Sequence, residues 1–184
     1  MDIGDHRPDF DDPLGLMESC HRRVERFLGI LLRVARGPTT LDPERRRGLE
    51  AALAYFRESG PLHTEDEEQS LHPRLRDAQP SDPEGLLARI EALELDHREA
   101  EPLHEVIESL GQDWLEAGSL SNQDQRRLCT ALDALAALYP EHIRFEDEVL
   151  YPWAATVLSD SAVASMGVEL AVRRGVDLES RPSF

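Results

Sequence analysis

Four histidines of this chain, His21, His63, His97 and His142, are each followed four residues later by a glutamate: Glu25, Glu67, Glu101 and Glu146. In an α-helix such a pair lies about 40° apart around the axis and about 6 Å along it, so both side chains project to one side. Each histidine also stands close to the apolar stripe of its own segment. Burying those stripes buries four imidazoles and several carboxylates, which is costly unless their charge is compensated. The pattern therefore favours a fold in which four helices meet along one axis, with cations where they meet.

The rest of the sequence supplies four such helices. Asp12-Pro13 starts the first, whose apolar residues recur at helical spacing from Leu16 to Leu32 until Gly37-Pro38. Asp42-Pro43 starts the second, which Gly60-Pro61 interrupts and which carries on to about Asp77. Asp82-Pro83 should open the third, running through Leu110 with a bend at Pro102. Ser121 or Asn122 starts the fourth, which bends at Pro140 and ends near Val157. Asp160 is expected to cap a short last helix that ends at Gly175.

Short loops between long helices predict an all-α, up-down-up-down four-helix bundle over 13–158, with a short C-terminal helix over 159–175. Residues 1–12 and 176–184 read as flexible ends. Two helical hairpins in separate domains are the other arrangement, and no linker is long or polar enough to favour it.

Composition narrows the partners. A net charge of −17 argues against nucleic acid and against anionic membrane surfaces. No stretch approaches the roughly 18 apolar residues of a membrane span, and the acidic N-terminus has no secretory character. Cys20 and Cys129 form no metal or redox spacing, which fits reduced thiols in the cytoplasm.

The segment PLHTEDEEQSLHP from Pro61 is echoed by PEHIRFEDEVLYP from Pro140. The two share Pro at positions one and thirteen, His at three, Glu at seven and Leu at eleven. Imidazole and carboxylate without thiolate suit iron, manganese or zinc. His21, His63, Glu67, His97, Glu101, His142 and Glu146 are more donors than one tetrahedral zinc takes; two ions bridged by carboxylates and a solvent oxygen use them naturally.

In order and spacing (His21, then His63 with Glu67, then His97, then His142 with Glu146, one set per helix) the chain resembles the hemerythrin-like, or HHE cation-binding, family over roughly Pro13 to Val157. The resemblance implies a hemerythrin-like four-helix bundle with two non-haem iron ions, carboxylate- and oxo/hydroxo-bridged. It makes Glu67 and Glu146 the bridges and the four histidines terminal ligands. Oxygen-carrying members have a second histidine where this chain has Glu101. As an anionic ligand Glu101 should favour the ferric state and a faster-oxidising centre over reversible oxygen carriage.

The remaining candidates are expected at the margin. His104 is two turns from His97, beyond Pro102. Glu25 is a hydrogen-bond acceptor for an imidazole or a surface residue, Glu68 is solvated, and His72 and His6 are surface residues. Cys20 points away from the donors. Tyr55, Tyr139 and Tyr151 could hydrogen-bond a bound oxygen species or simply pack.

The expected function is a di-iron protein binding dioxygen, peroxide or nitric oxide in a redox or oxygen-response role. A peroxidase- or oxidase-type enzyme and an iron-handling protein are the alternatives. With no output segment in this sequence, a sensor would act as a homodimer or through a separate signalling partner.

Overall fold

The computed structural model describes residues 10–78, 82 and 85–178. Their regular structure is helical; the nearest approach to a strand is an isolated antiparallel bridge between Thr40 and Ser119. Helix α1 is Pro13–Ala35. Helix α2 spans 43–77 as Pro43–Glu58, Gly60–Glu65, a π-helical turn Asp66–Leu71 and His72–Asp77. Helix α3 is Leu86–Ala117. Helix α4 spans 122–157 as Asn122–Phe145, a π-helical turn Glu146–Leu150 and Tyr151–Val157. Helix α5 is Asp160–Arg173.

The starts follow from side chains that satisfy the orphan amides of a first turn. The Asp12 carboxylate accepts from Gly15 N at 3.0 Å, and Asp42 accepts from Glu44 N and Arg45 N at 2.9 and 2.8 Å. Asp82 accepts from Leu86 N and Leu87 N at 2.6 and 3.1 Å, behind Gly85 in the left-handed region at φ 70°. The expected opening at Pro83 lies outside the described residues. The cap of α5 is Ser159, whose Oγ accepts from Ala162 N, and Asp160 is the first helical residue instead of the cap. Both α3 and α4 continue as helix through Pro102 and Pro140.

Helix α1 packs on α2 and α4, and α3 packs on α2 and α4, closing a ring of four. At one end the α1–α2 and α3–α4 loops join through Leu41 N to Gly118 O and Leu120 N to Thr39 O, both 2.9 Å. Two loops at one end are what up-down-up-down connectivity requires.

The interior has two apolar blocks. One, near the joined loops, is built on Leu31, Leu53, Ile107, Trp114, Leu132 and Leu135. The other, at the far end, is built on Met17, Leu75, Ile90, Leu150, Met166 and Leu170. The buried histidines and glutamates lie between them.

Helix α5 closes the far end. Gly167 is needed there, because a Cβ would stand 2.0 Å from the Phe10 carbonyl oxygen. Phe10, within the stretch expected to be flexible, is thus buried against α5, and Val176 and Leu178 pack on the same block. Residues 1–9 and 179–184, the remainder of those ends, lie outside the described residues.

Candidate metal centre

Both copies of the repeated segment form the same unusual backbone. Pro73 and Pro152 lack an N–H and crowd the carbonyl four residues earlier. The turn before each proline widens to the π form: His72 N–H bonds Glu67 O and Tyr151 N–H bonds Glu146 O, each five residues back. In both copies the π-turn includes the glutamate and ends two residues before the shared proline at position thirteen.

Six donors converge as two groups, His21 with His63 and Glu67, and His97 with His142 and Glu146. The glutamates straddle the groups. Glu67 Oε1 lies 3.6 Å from His63 Nε2 and 3.9 Å from His21 Nε2, while Oε2 lies 3.5 Å from His97 Nε2. Glu146 Oε2 is 3.2 Å from both His142 Nε2 and His21 Nε2. Such spacings suit donors sharing an ion at bond lengths of about 2.0–2.2 Å.

Carboxylates grip the outer nitrogens. Asp147 accepts from His21 Nδ1 at 2.6 Å, Glu68 from His97 Nδ1 at 2.9 Å, and Asp96 from His142 Nδ1 at 3.1 Å. This fixes each ring with Nε2 facing inward, the arrangement that metal-binding histidines need. His97 Nε2 and His142 Nε2 stand 3.2 Å apart. Tyr151, stacked parallel to His21 with ring centroids 5.6 Å apart, donates its hydroxyl hydrogen to Glu67 Oε1.

The electrostatics show how much charge is confined. At His21 burial opposes protonation, yet Asp147 and Glu146 outweigh it and push the pKa up to about 10. At His142 burial is likewise outweighed, chiefly by Glu146, and the pKa rises to about 9. Burial holds His63 and His97 below the usual imidazole value. Glu67 is raised by burial and by its neighbour Glu146; Glu146, despite burial, is lowered by His142 and His21.

Four buried polar atoms around this centre have no hydrogen-bond partner, His63 Nδ1, Glu67 Oε2, His72 Nε2 and Glu146 Oε1, and Glu146 Oε2 has only the two imidazole nitrogens that face it at 3.2 Å. Buried carboxylate oxygens are rarely left so, since the desolvation cost is several kcal/mol. Cations between the two groups would use the glutamate oxygens, so this donor set fits metal.

Other expected residues fall elsewhere. Glu101 is exposed, lines the mouth of a cavity and stands in neither donor group. His97 already lies at the edge of the interior, and the further turn to the next position carries that side chain outward. Glu25 is on the surface, paired with Arg22 at 2.8 Å. His104 bonds Tyr139 Oη and packs on Phe56, with burial depressing its pKa to about 4. Tyr55 donates to Cys20 O at 3.2 Å. His6 lies outside the described residues.

Two expectations need correction. Glu68 is not simply solvated, because it holds His97. His72 is not a surface residue: it is 0% exposed, with Nδ1 3.1 Å from Glu94 Oε1. The roles of Asp96 and Asp147 were not expected; Asp147 carried one signal, since position eight of the repeat is acidic in both copies, as Glu68 and Asp147.

A cavity of about 390 Å³ reaches the centre from one side, where His63, His97 and His142 form part of its wall. Its mouth carries Glu65, Glu68, Glu101 and Arg98.

Comparison with known proteins agrees with this geometry. A protein of Haemophilus influenzae, described only as an uncharacterized protein, is 29% identical over 175 residues, spanning 91% of this chain and 92% of that one. No solved structure matches the chain. The family described as "Hemerythrin HHE cation binding domain" matches residues 12–154. With both HxxxE segments inside that range, this chain belongs to the hemerythrin HHE cation-binding family.

Proposed function

We propose that this chain is a non-haem di-iron protein that binds dioxygen or a related small ligand, peroxide or nitric oxide, in a redox or oxygen-response role. The observation that carries this reading is the pair of His-His-Glu groups whose glutamates each face donors of both groups. Two such carboxylates favour two neighbouring ions over one. Iron bound there would supply electron exchange with the ligand.

The protein's share is positioning and exclusion. Asp147, Glu68 and Asp96 keep three imidazoles oriented and electron-rich. Tyr151 holds Glu67 in place through Oε1. The apolar blocks on either side keep bulk water out, so access is by the cavity. Three carboxylates against one guanidinium at its mouth disfavour anions and admit small neutral molecules. The absence of any described helix long and apolar enough to cross a membrane, and two free cysteines, are consistent with work in a reducing cytoplasm.

The test is to load metal-free protein with ferrous iron under argon and then admit dioxygen. Wild type should develop a charge-transfer absorption in proportion to bound iron, and the doubly substituted Glu67→Gln, Glu146→Gln protein should not. A wild-type response no faster than that of free ferrous iron would overturn the proposal.

A further inference from the structure

The approximate two-fold relation within the bundle exchanges α1 with α3 and α2 with α4. His21 then corresponds to His97, His63 to His142, and Glu67 to Glu146. It also pairs two residues that the metal groups do not include. Position twelve of the repeat, immediately before the proline and directly after the π-turn, is His72 in the first copy and Tyr151 in the second.

Tyr151 has a definite task. It belongs to the segment carrying Glu146, and its hydroxyl crosses the centre to bond Glu67, the glutamate of the other segment. The same π hydrogen bond, from the residue at position twelve back to the glutamate at position seven, is present in both copies and turns each side chain inward. By the two-fold, His72 should face Glu146 as Tyr151 faces Glu67.

Three observations agree. His72 is completely buried, and its Nε2 has no partner. Glu146 Oε1 is also buried without a partner and Oε2 faces only the His21 and His142 nitrogens 3.2 Å away, whereas Glu67 in addition keeps the bond from Tyr151. Finally, His72 carries the same outer fitting as three of the four histidines of the centre, His21, His97 and His142. Its Nδ1 is held by Glu94, which is itself fixed by Arg76 at 2.8 Å. A structural core histidine has no need of an anchored carboxylate on one nitrogen and nothing on the other.

We propose that His72 is a positioning residue for the second half of the centre, steering the Glu146 carboxylate as Tyr151 steers Glu67. Resting on the two-ion reading, this assigns each bridging glutamate its own buried guide, one phenol and one imidazole. The consequence is asymmetry. The half built on His97, His142 and Glu146 depends on His72, Glu94 and Arg76, and the half built on His21, His63 and Glu67 depends on Tyr151.

The experiment is a titration of metal-free, full-length protein with cobalt(II) under argon, followed by absorption and calorimetry. A His142→Gln reference marks which binding step belongs to the second half. His72→Leu should weaken that step by about 10- to 100-fold and leave the other within about twofold. Tyr151→Phe should show the mirror pattern. His72→Tyr, which places in the first copy the side chain that works in the second, should recover most of the lost affinity. Should His72→Leu fold poorly, Glu94→Gln leaves the imidazole in place, removes its anchor and should weaken the same step alone.

Unchanged affinity in both His72→Leu and Glu94→Gln overturns the proposal. So does equal weakening of both steps in line with the melting temperature of the metal-free protein, which would mark a structural role. If wild type takes up only one ion, the two-ion reading itself fails. If it takes up two and these variants change neither, only the role of His72 fails.

Discussion

Asp66, the residue before Glu67, is 0% exposed and pinned by two arginines from the end of α5. Arg173 Nη1 donates to Oδ1 at 2.8 Å and Arg174 Nη2 to Oδ2 at 2.5 Å. Arg173 also reaches Ser70 Oγ at 2.7 Å, so α5 holds the whole π-turn that carries Glu67. Burial pushes the Asp66 carboxyl up, and the two guanidiniums pull it back, so the buried charge is tolerable only with both arginines present. Asp66→Ala removes the nearest carboxylate from two guanidiniums that keep 15% and 14% of their exposure. Removing one partner of a buried pair costs about 3–5 kcal/mol, and the residual hydration puts this case near 3. At about 2–4 °C per kcal/mol for a chain of this size, the melting temperature should fall by about 6–12 °C. The assay is thermal unfolding of the metal-free protein by circular dichroism, alongside the triple variant Asp66→Leu, Arg173→Met, Arg174→Met. That triple change removes every charge and should recover most of the loss, because apolar replacement of a whole buried cluster is nearly neutral. A fall below about 2 °C in Asp66→Ala would refute the claim that α5 locks this turn.

Other consequences can be checked more briefly. His104 is neutral in the fold, with a pKa near 4 against an unfolded value of 6.5. Its contribution is therefore intact above pH 6.5 and is lost as pH falls toward 4, by about 1.4 kcal/mol per unit and about 3 kcal/mol in all. His104→Phe should flatten that part of the pH profile in denaturant titrations, and an unchanged slope would contradict it. Metal loading near pH 7 should release protons, since His21 and His142 are held protonated by their carboxylate neighbours and must lose them to bind. Titration in unbuffered solution measures this directly, and loading without proton release would contradict the charge assignment. Glu101→Gln should leave metal stoichiometry unchanged, because Glu101 lies outside both donor groups; loss of an ion on elemental analysis would show that it binds after all.

The helices were legible because their starts are written in single residues. Asp12-Pro13 and Asp42-Pro43 combine a side-chain acceptor with a preset backbone angle, and both form caps as read. Ser159 in place of Asp160 is the ordinary one-residue ambiguity of adjacent capping residues. The spacing of His63 with Glu67 and of His142 with Glu146 gave two donor pairs, since the α-helix runs from each histidine to Glu65 and Phe145, just short of the glutamates.

Beyond each glutamate the α-helical period stops applying. His72, just before Pro73, was expected on the surface, and Tyr151 was expected either to hydrogen-bond an oxygen species or to pack. The π-turn returns the fifth residue beneath the first and brings both side chains into the interior. Pro73 and Pro152, at the same position of both copies, were the visible signal. Glu101 shows the opposite error. A spacing repeated on four helices does not orient four helices alike, and only α2 and α4 turn their glutamates inward.

The most direct trial of the centre is to count iron in anaerobically loaded, desalted protein and record its Mössbauer spectrum after oxidation. Carboxylates shared between the two groups require two ions per chain that are magnetically coupled, with a diamagnetic ground state at low temperature. One ion per chain, or two that behave as isolated high-spin ferric sites, would contradict that sharing.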